Sequence, residues 1–92
     1  MEKLKKEIQS VVDVFKSGDL PKATSLCKKL IELNPKVAFL FNLMGLILAN
    51  QKKVIEAKEY YEKGLKIDPA FAMIYNNLGL LYFQNKLNNY VN

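Results

Sequence analysis

Two dipeptides, Asn34-Pro35 and Asp68-Pro69, stand 34 residues apart, and the residues around and between them recur in the same order. A residue before proline is pushed out of helical geometry, so each dipeptide marks the end of a helix. Laid against itself at this spacing, the chain gives three rows, residues 4–37, 38–71 and 72–92, the last cut short. In the second and third rows Ala38 matches Ala72, Phe41 matches Tyr75, Asn42 matches Asn76 and Met44 matches Leu78. Gly45 with Gly79, Leu46 with Leu80 and Leu48 with Tyr82 continue the series. The first two rows agree in their later halves, through Ala23 with Ala57, Leu30 with Gly64, Leu33 with Ile67 and Pro35 with Pro69. A fixed period of this length is the signature of stacked helical hairpins, none of which can bury its apolar face alone. The chain therefore reads as one binding scaffold over residues 1–92 and not as a catalyst.

Apolar spacing within the rows predicts five helices. Leu4, Ile8, Val11, Val12, Val14 and Phe15 make the first, which stops at Ser17-Gly18-Asp19, where glycine can take the left-handed conformation that ends a helix. Asp19 or Leu20 opens the second, with Pro21 tolerated in its first turn, and Ala23, Leu26, Cys27, Leu30, Ile31 and Leu33 form its buried stripe. A third runs from about Val37 to Asn50. The turn after it, Asn50-Gln51-Lys52-Lys53, has no glycine, so Asn50 or Gln51 is expected to manage the reversal in a less tight loop. Val54 to Ile67 makes the fourth helix and Phe71 to Gln84 the fifth, followed by a short C-terminal segment, Leu87 to Val91. Ala57, Gly64, Gly45 and Gly79 are poor or small helix residues whose expected role is close helix approach, and a bulky residue at any of the four should overpack a crossing.

Composition narrows the function classes. With no histidine and one cysteine, Cys27, the chain has no Cys/His or Ser/His arrangement and no Cys/His zinc site, and no cofactor is expected. Glu56, Glu59 and Glu62 lie at surface spacing beside Lys63 and Lys66 and read as solvated pairs. The glycines are isolated and build no phosphate cradle. A net charge of +5 raises nucleic acid as a partner, but all the basic residues are scattered lysines, without the arginine fork suited to phosphate and base edges. No nucleic-acid partner is expected. No apolar run approaches the length of a membrane span, and the charged start passes into an amphipathic stretch, which makes the cytoplasm the default location.

The rows resemble the tetratricopeptide repeat, a pair of antiparallel helices whose pattern is a large aromatic, Leu-Gly, Tyr, Ala, Phe, Ala and Pro. Phe41, Met44-Gly45, Leu48, Ala57, Tyr61, Gly64 and Pro69 of the middle row fall where that pattern asks. The third row supplies Tyr75, Leu78-Gly79 and Tyr82, whereas the first keeps Gly18, Ala23, Leu30 and Pro35 but places Glu7 and Ser10 at the aromatic and Leu sites. The resemblance implies an all-α fold of antiparallel helix-turn-helix repeats stacked as a short right-handed α-solenoid. It also implies a concave groove lined by the first helix of each repeat, where ligands of the family bind. Carried over by position, the groove residues are Ile8, Val12 and Phe15, then Phe39, Asn42, Leu43, Leu46 and Asn50, then Met73, Asn76, Asn77, Leu80 and Phe83. Lys5, Gln9, Lys16, Ala49 and Gln84 complete that lining. Members that grip a chaperone's C-terminal carboxylate place cationic groups at sites occupied here by Ile8, Val12, Leu43, Met73 and Asn77, so that clamp is absent.

An apolar groove with a few amides suits a peptide segment whose side chains fill pockets while Asn42, Asn76 and Asn77 bond its backbone. Mutual packing of Phe39, Leu46, Leu80 and Phe83 is the alternative use of the same residues. The fifth helix is apolar nearly all round and needs burial, yet the third row lacks a full second helix to provide it. Membership of a longer array, pairing with another copy, or exchange of the helix between protomers would each supply the cover. Self-association as a homodimer through residues 71–84 is the expectation for these 92 residues. A truncated repeat region of a larger enzyme, such as an O-linked glycosyltransferase, is the alternative reading from another class.

Overall fold

A computed structural model describes the backbone of residues 2–91 and the side chains of residues 2–86. Five helices follow one another, α1 (Glu2–Lys16), α2 (Leu20–Leu33), α3 (Ala38–Asn50), α4 (Val54–Ile67) and α5 (Ala72–Val91), with no strand among the described residues. The helix α5 runs without interruption to Val91, so the separate C-terminal segment expected after Gln84 is a continuation of that helix. Each helix packs on the next, and α5 also reaches back to α3, which gives a helical-repeat solenoid measuring 44 × 30 × 17 Å.

The helix ends follow from local chemistry. Gly18 closes α1 at φ +93°, a conformation that costs a glycine little. Asp19 caps α2, its carboxylate accepting the Lys22 N–H at 3.2 Å, and Pro21 sits in the first turn, where its missing N–H has no intrahelical partner to lose. Asn34 closes the same helix, its N–H bonding the Leu30 carbonyl at 2.8 Å and its side-chain amide donating to that oxygen at 2.9 Å.

The reversal after α3 falls to Lys52, at φ +65°, and not to Asn50 or Gln51. Lys52 lies 34 residues after Gly18, so repeat register selects the left-handed position despite its side chain. The turn is not loosened, since the Lys52 and Lys53 N–H groups bond the carbonyls of Ala49 and Leu48, each at 3.0 Å. Asn50 instead donates its side-chain amide to the Leu46 carbonyl at 2.9 Å, and Gln51 reaches across to Thr24 Oγ1 at 2.8 Å, tying this turn to α2.

The core runs along the stack. Val11 of α1 and Ala23, Cys27 and Leu30 of α2 meet Leu40, Leu43, Met44, Ile47 and Leu48 of α3, which in turn meet Ala57 and Tyr61 of α4 and Ile74 and Leu81 of α5. Helix α3 has no charged residue and is covered on nearly every side. Cys27 is fully buried, its thiol lies 3.5 Å from the Leu40 carbonyl, and burial pushes its pKa up to about 12, so it serves as a small apolar filler. Leu33, expected in the α2 stripe, is 77% exposed. Glu7 stands where the second repeat has Phe41, and a hollow of about 220 Å³ lined by Glu7, Leu26, Leu30 and Leu33 opens between α1 and α2.

The four small positions do not behave alike. Ala57 is fully buried, and a Cβ on Gly45 would overlap the Tyr61 ring. A Cβ on Gly64 would lie 2.6 Å from Ile74 Cδ1 and 3.3 Å from Phe41 Cβ. Gly79 is the exception, because nothing stands within 4 Å of the place its Cβ would occupy. Close approach there would need a neighbour placed as Tyr61 is over Gly45, and no described residue fills that place.

Candidate functional site

Repeat geometry gives α5 three faces. Ile74 and Leu81 are buried inward, as Leu40 and Ile47 are at the same positions of α3. Met73, Leu80 and Phe83 face the groove side and are 50%, 51% and 60% exposed. Tyr75, Gly79 and Tyr82 form a third stripe, which in α3 is occupied by Phe41, Gly45 and Leu48 and covered by α4. The sequence pattern of α5 matches that of α3, but only α3 has helices on all these faces.

On the groove side, α3, α5 and the start of α4 enclose a pocket of about 370 Å³. Leu46, Ala49, Val54, Tyr61, Leu80 and Leu81 give it an apolar interior, while Asn50, Asn77, Gln84, Asn85 and Lys52 bring polar groups to it. No carboxylate lines it, so its one charge is the Lys52 ammonium. Tyr61 is 1% exposed, and burial holds its phenol protonated by raising the pKa to about 12. Such a pocket can take an apolar side chain and offer amide hydrogen bonds to the chain that carries it.

Of the groove residues expected from the sequence, this pocket brings together Leu46, Ala49, Asn50, Asn77, Leu80 and Gln84. Ile8, Val12 and Phe15 are half-buried against the core from α1 and stand apart from it. Phe39, Met73, Asn76 and Phe83 are exposed but do not line it. Two residues leave the groove altogether. Leu43 is a core residue at 4% exposure, and Asn42, at 1%, accepts a hydrogen bond from the Asn77 amide at 2.8 Å. The reason is that α5 packs directly on α3, so the Asn42 side-chain oxygen is taken by the next repeat and the residue is buried beneath the groove surface.

The Asn42–Asn77 bond joins one repeat to the next, and no buried side-chain polar atom among the described residues is left unpaired. Asn77→Ala is expected to strand the Asn42 carboxamide and lower the unfolding free energy by about 1–3 kcal/mol in urea denaturation. Adding Asn42→Leu should recover most of that loss, because a stranded polar group costs more than an absent one.

Lys52, Val54, Tyr61, Leu81 and Asn85 also line the pocket and were not anticipated there. Lys52 could have been found from its register with Gly18, and Asn85 from its place one turn beyond Leu81. Val54 and Tyr61 lie on α4, which the expected groove omits. On the outer face of α4, Lys63 lies over the Tyr60 ring at 5.1 Å from its centroid, a cation–π contact. Among the described residues no group of acidic or thiol side chains is arranged to hold a metal ion, and no helix is long and apolar enough to cross a membrane.

The family model of the TPR repeat matches residues 45–86, which span the second half of α3, all of α4 and α5 as far as Lys86. TPR repeats generally mediate protein–protein interaction and are typically non-catalytic modules. The 34-residue period and the antiparallel hairpins agree with this match, and residues 45–86 of the chain carry a tetratricopeptide repeat.

Proposed function

We propose that this chain, acting as one unit, is a non-catalytic protein–protein interaction scaffold. It takes an apolar partner segment in the pocket between α3 and α5 and self-associates through residues 71–84. The observation that carries the reading is the pocket itself, an apolar interior of about 370 Å³ with amides and one lysine around it. Apolar pockets with a few convergent polar groups are the usual form of a binding site, and large apolar side chains exposed beside them extend the contact. Leu80, Phe83 and Met73 provide that extension along α5. The scaffold works in the cytoplasm, with protein or peptide as its partner and without nucleic acid, membrane or cofactor.

Selection of a random-peptide display library on the immobilised protein tests the pocket. The selected peptides are expected to bind a Leu46→Asp, Leu80→Asp variant at least about tenfold more weakly by fluorescence anisotropy, since a charge in the apolar interior replaces the anchoring contact. Far-UV circular dichroism checks that the variant stays helical. Unchanged Kd values in a folded variant would remove the pocket from the function.

A further inference from the structure

We infer that a second copy of this chain packs its α5 antiparallel against the Tyr75, Gly79 and Tyr82 stripe, with Tyr82 of each copy seated on Gly79 of the other. The inference rests on the self-association proposed above and specifies the face and the register.

The fold already contains one example of the contact. Helices α3 and α4 are antiparallel, the Tyr61 ring fills the space that a Cβ on Gly45 would need, and Phe41 Cβ lies 3.3 Å from where a Gly64 Cβ would be. Gly79 offers the same notch one repeat later, empty to 4 Å and flanked by two half-exposed tyrosines. An apolar stripe at spacings of four and three residues is the seam by which helices pair along their length.

Two copies of α5 can be both notch and knob. With Tyr82 opposite Gly79 in an antiparallel pair, Phe83 falls opposite Leu78 and Lys86 opposite Tyr75, and twofold symmetry makes each pairing occur twice. Tyr82 is the available knob, because the Tyr75 hydroxyl is already held by the Pro69 carbonyl at 2.9 Å. Lys86 over the other copy's Tyr75 would repeat the contact that Lys63 makes with Tyr60.

Charge favours the same arrangement. Between Ala72 and Lys86, α5 has no carboxylate and a single cation, Lys86 itself. Antiparallel pairing puts the two Lys86 ammonium groups at opposite ends of the seam. Parallel pairing in register would set Lys86 on Lys86 and Tyr82 on Tyr82, leaving both notches empty.

Sedimentation equilibrium on the full chain, from low to high micromolar concentration and without added peptide, tests this. Wild type is expected to dimerise, Gly79→Leu to raise the dimer Kd about tenfold or more by filling the notch, and Tyr82→Ala to do the same by removing the knob. Both positions are open in the single chain, so far-UV circular dichroism of either variant should remain that of the wild type. Gly79→Ala gives a second check, since it favours the helix while weakening the dimer. A monomeric wild type would overturn the self-association and the register together. A dimer indifferent to both Gly79→Leu and Tyr82→Ala would overturn the register alone, and neither result bears on peptide binding in the pocket.

Discussion

Tyr61→Ala is expected to remove about 3–5 kcal/mol of stability, the cost of deleting a large buried ring from a packed core. Tyr61 is 1% exposed and fills the seam between α3 and α4 over Gly45, where no glycine side chain can move in to replace it. Met44, Ile47 and Leu81 of the same core cluster are themselves buried, which limits how far the core can collapse into the gap. Since small domains are stable by only about 5–15 kcal/mol, this change would leave the chain near its folding threshold. Thermal circular dichroism should record a fall in Tm on the order of 12–40 °C. Tyr61→Phe keeps the ring and should retain most of the stability. A Tm shift of only a few degrees for the alanine variant would mean that the α3–α4 seam is not what holds the stack together.

Gly45→Ala and Gly79→Ala should shift stability in opposite directions, although the period makes the two positions equivalent. At Gly45 the added methyl overlaps the Tyr61 ring, which is wedged in the core and cannot swing away, so overpacking of about 1–3 kcal/mol outweighs the better helix propensity of alanine. At Gly79 the methyl meets nothing, and the gain in propensity stands alone at about 0.5–1 kcal/mol. Paired urea titrations at low micromolar concentration, where self-association contributes little, would read both. Destabilisation by both substitutions would place an unseen neighbour over Gly79. Stabilisation by both would show that the Tyr61 ring yields more easily than its burial implies.

The period made the helices legible because each boundary carries its own local chemistry. Gly18, Pro21, Asn34-Pro35 and Asp68-Pro69 act within a few residues of themselves, so the sequence needs no tertiary knowledge to place them. Lys52 was missed for the opposite reason. Residue preference pointed to Asn50 or Gln51, while the backbone path imposed by the repeat put the left-handed residue elsewhere.

The groove was legible only where residues face solvent in every repeat. Leu46 and Leu80 occupy equivalent positions and both line the pocket. The same rule does not hold at Asn42, because whether that position is open depends on how closely the following helix packs, a distance that no single row encodes. Leu33 shows the same limit, since apolar spacing along α2 does not say whether a facing helix covers its last residue. Lys52 and Tyr61 reach the pocket from a turn and from α4, elements that a lining built only from first helices leaves out.

The Asn42–Asn77 hydrogen bond has a consequence for how the array can change shape. Apolar helices in contact can slide or rotate by small steps at little cost, whereas a buried amide pair has one satisfied geometry and loses its bond when displaced. The bond thus acts as a detent on the angle between α3 and α5, the two helices that wall the pocket. A guest too wide for the resting pocket must break that bond or distort itself, which makes pocket width a discrete property of this chain instead of a continuously adjustable one.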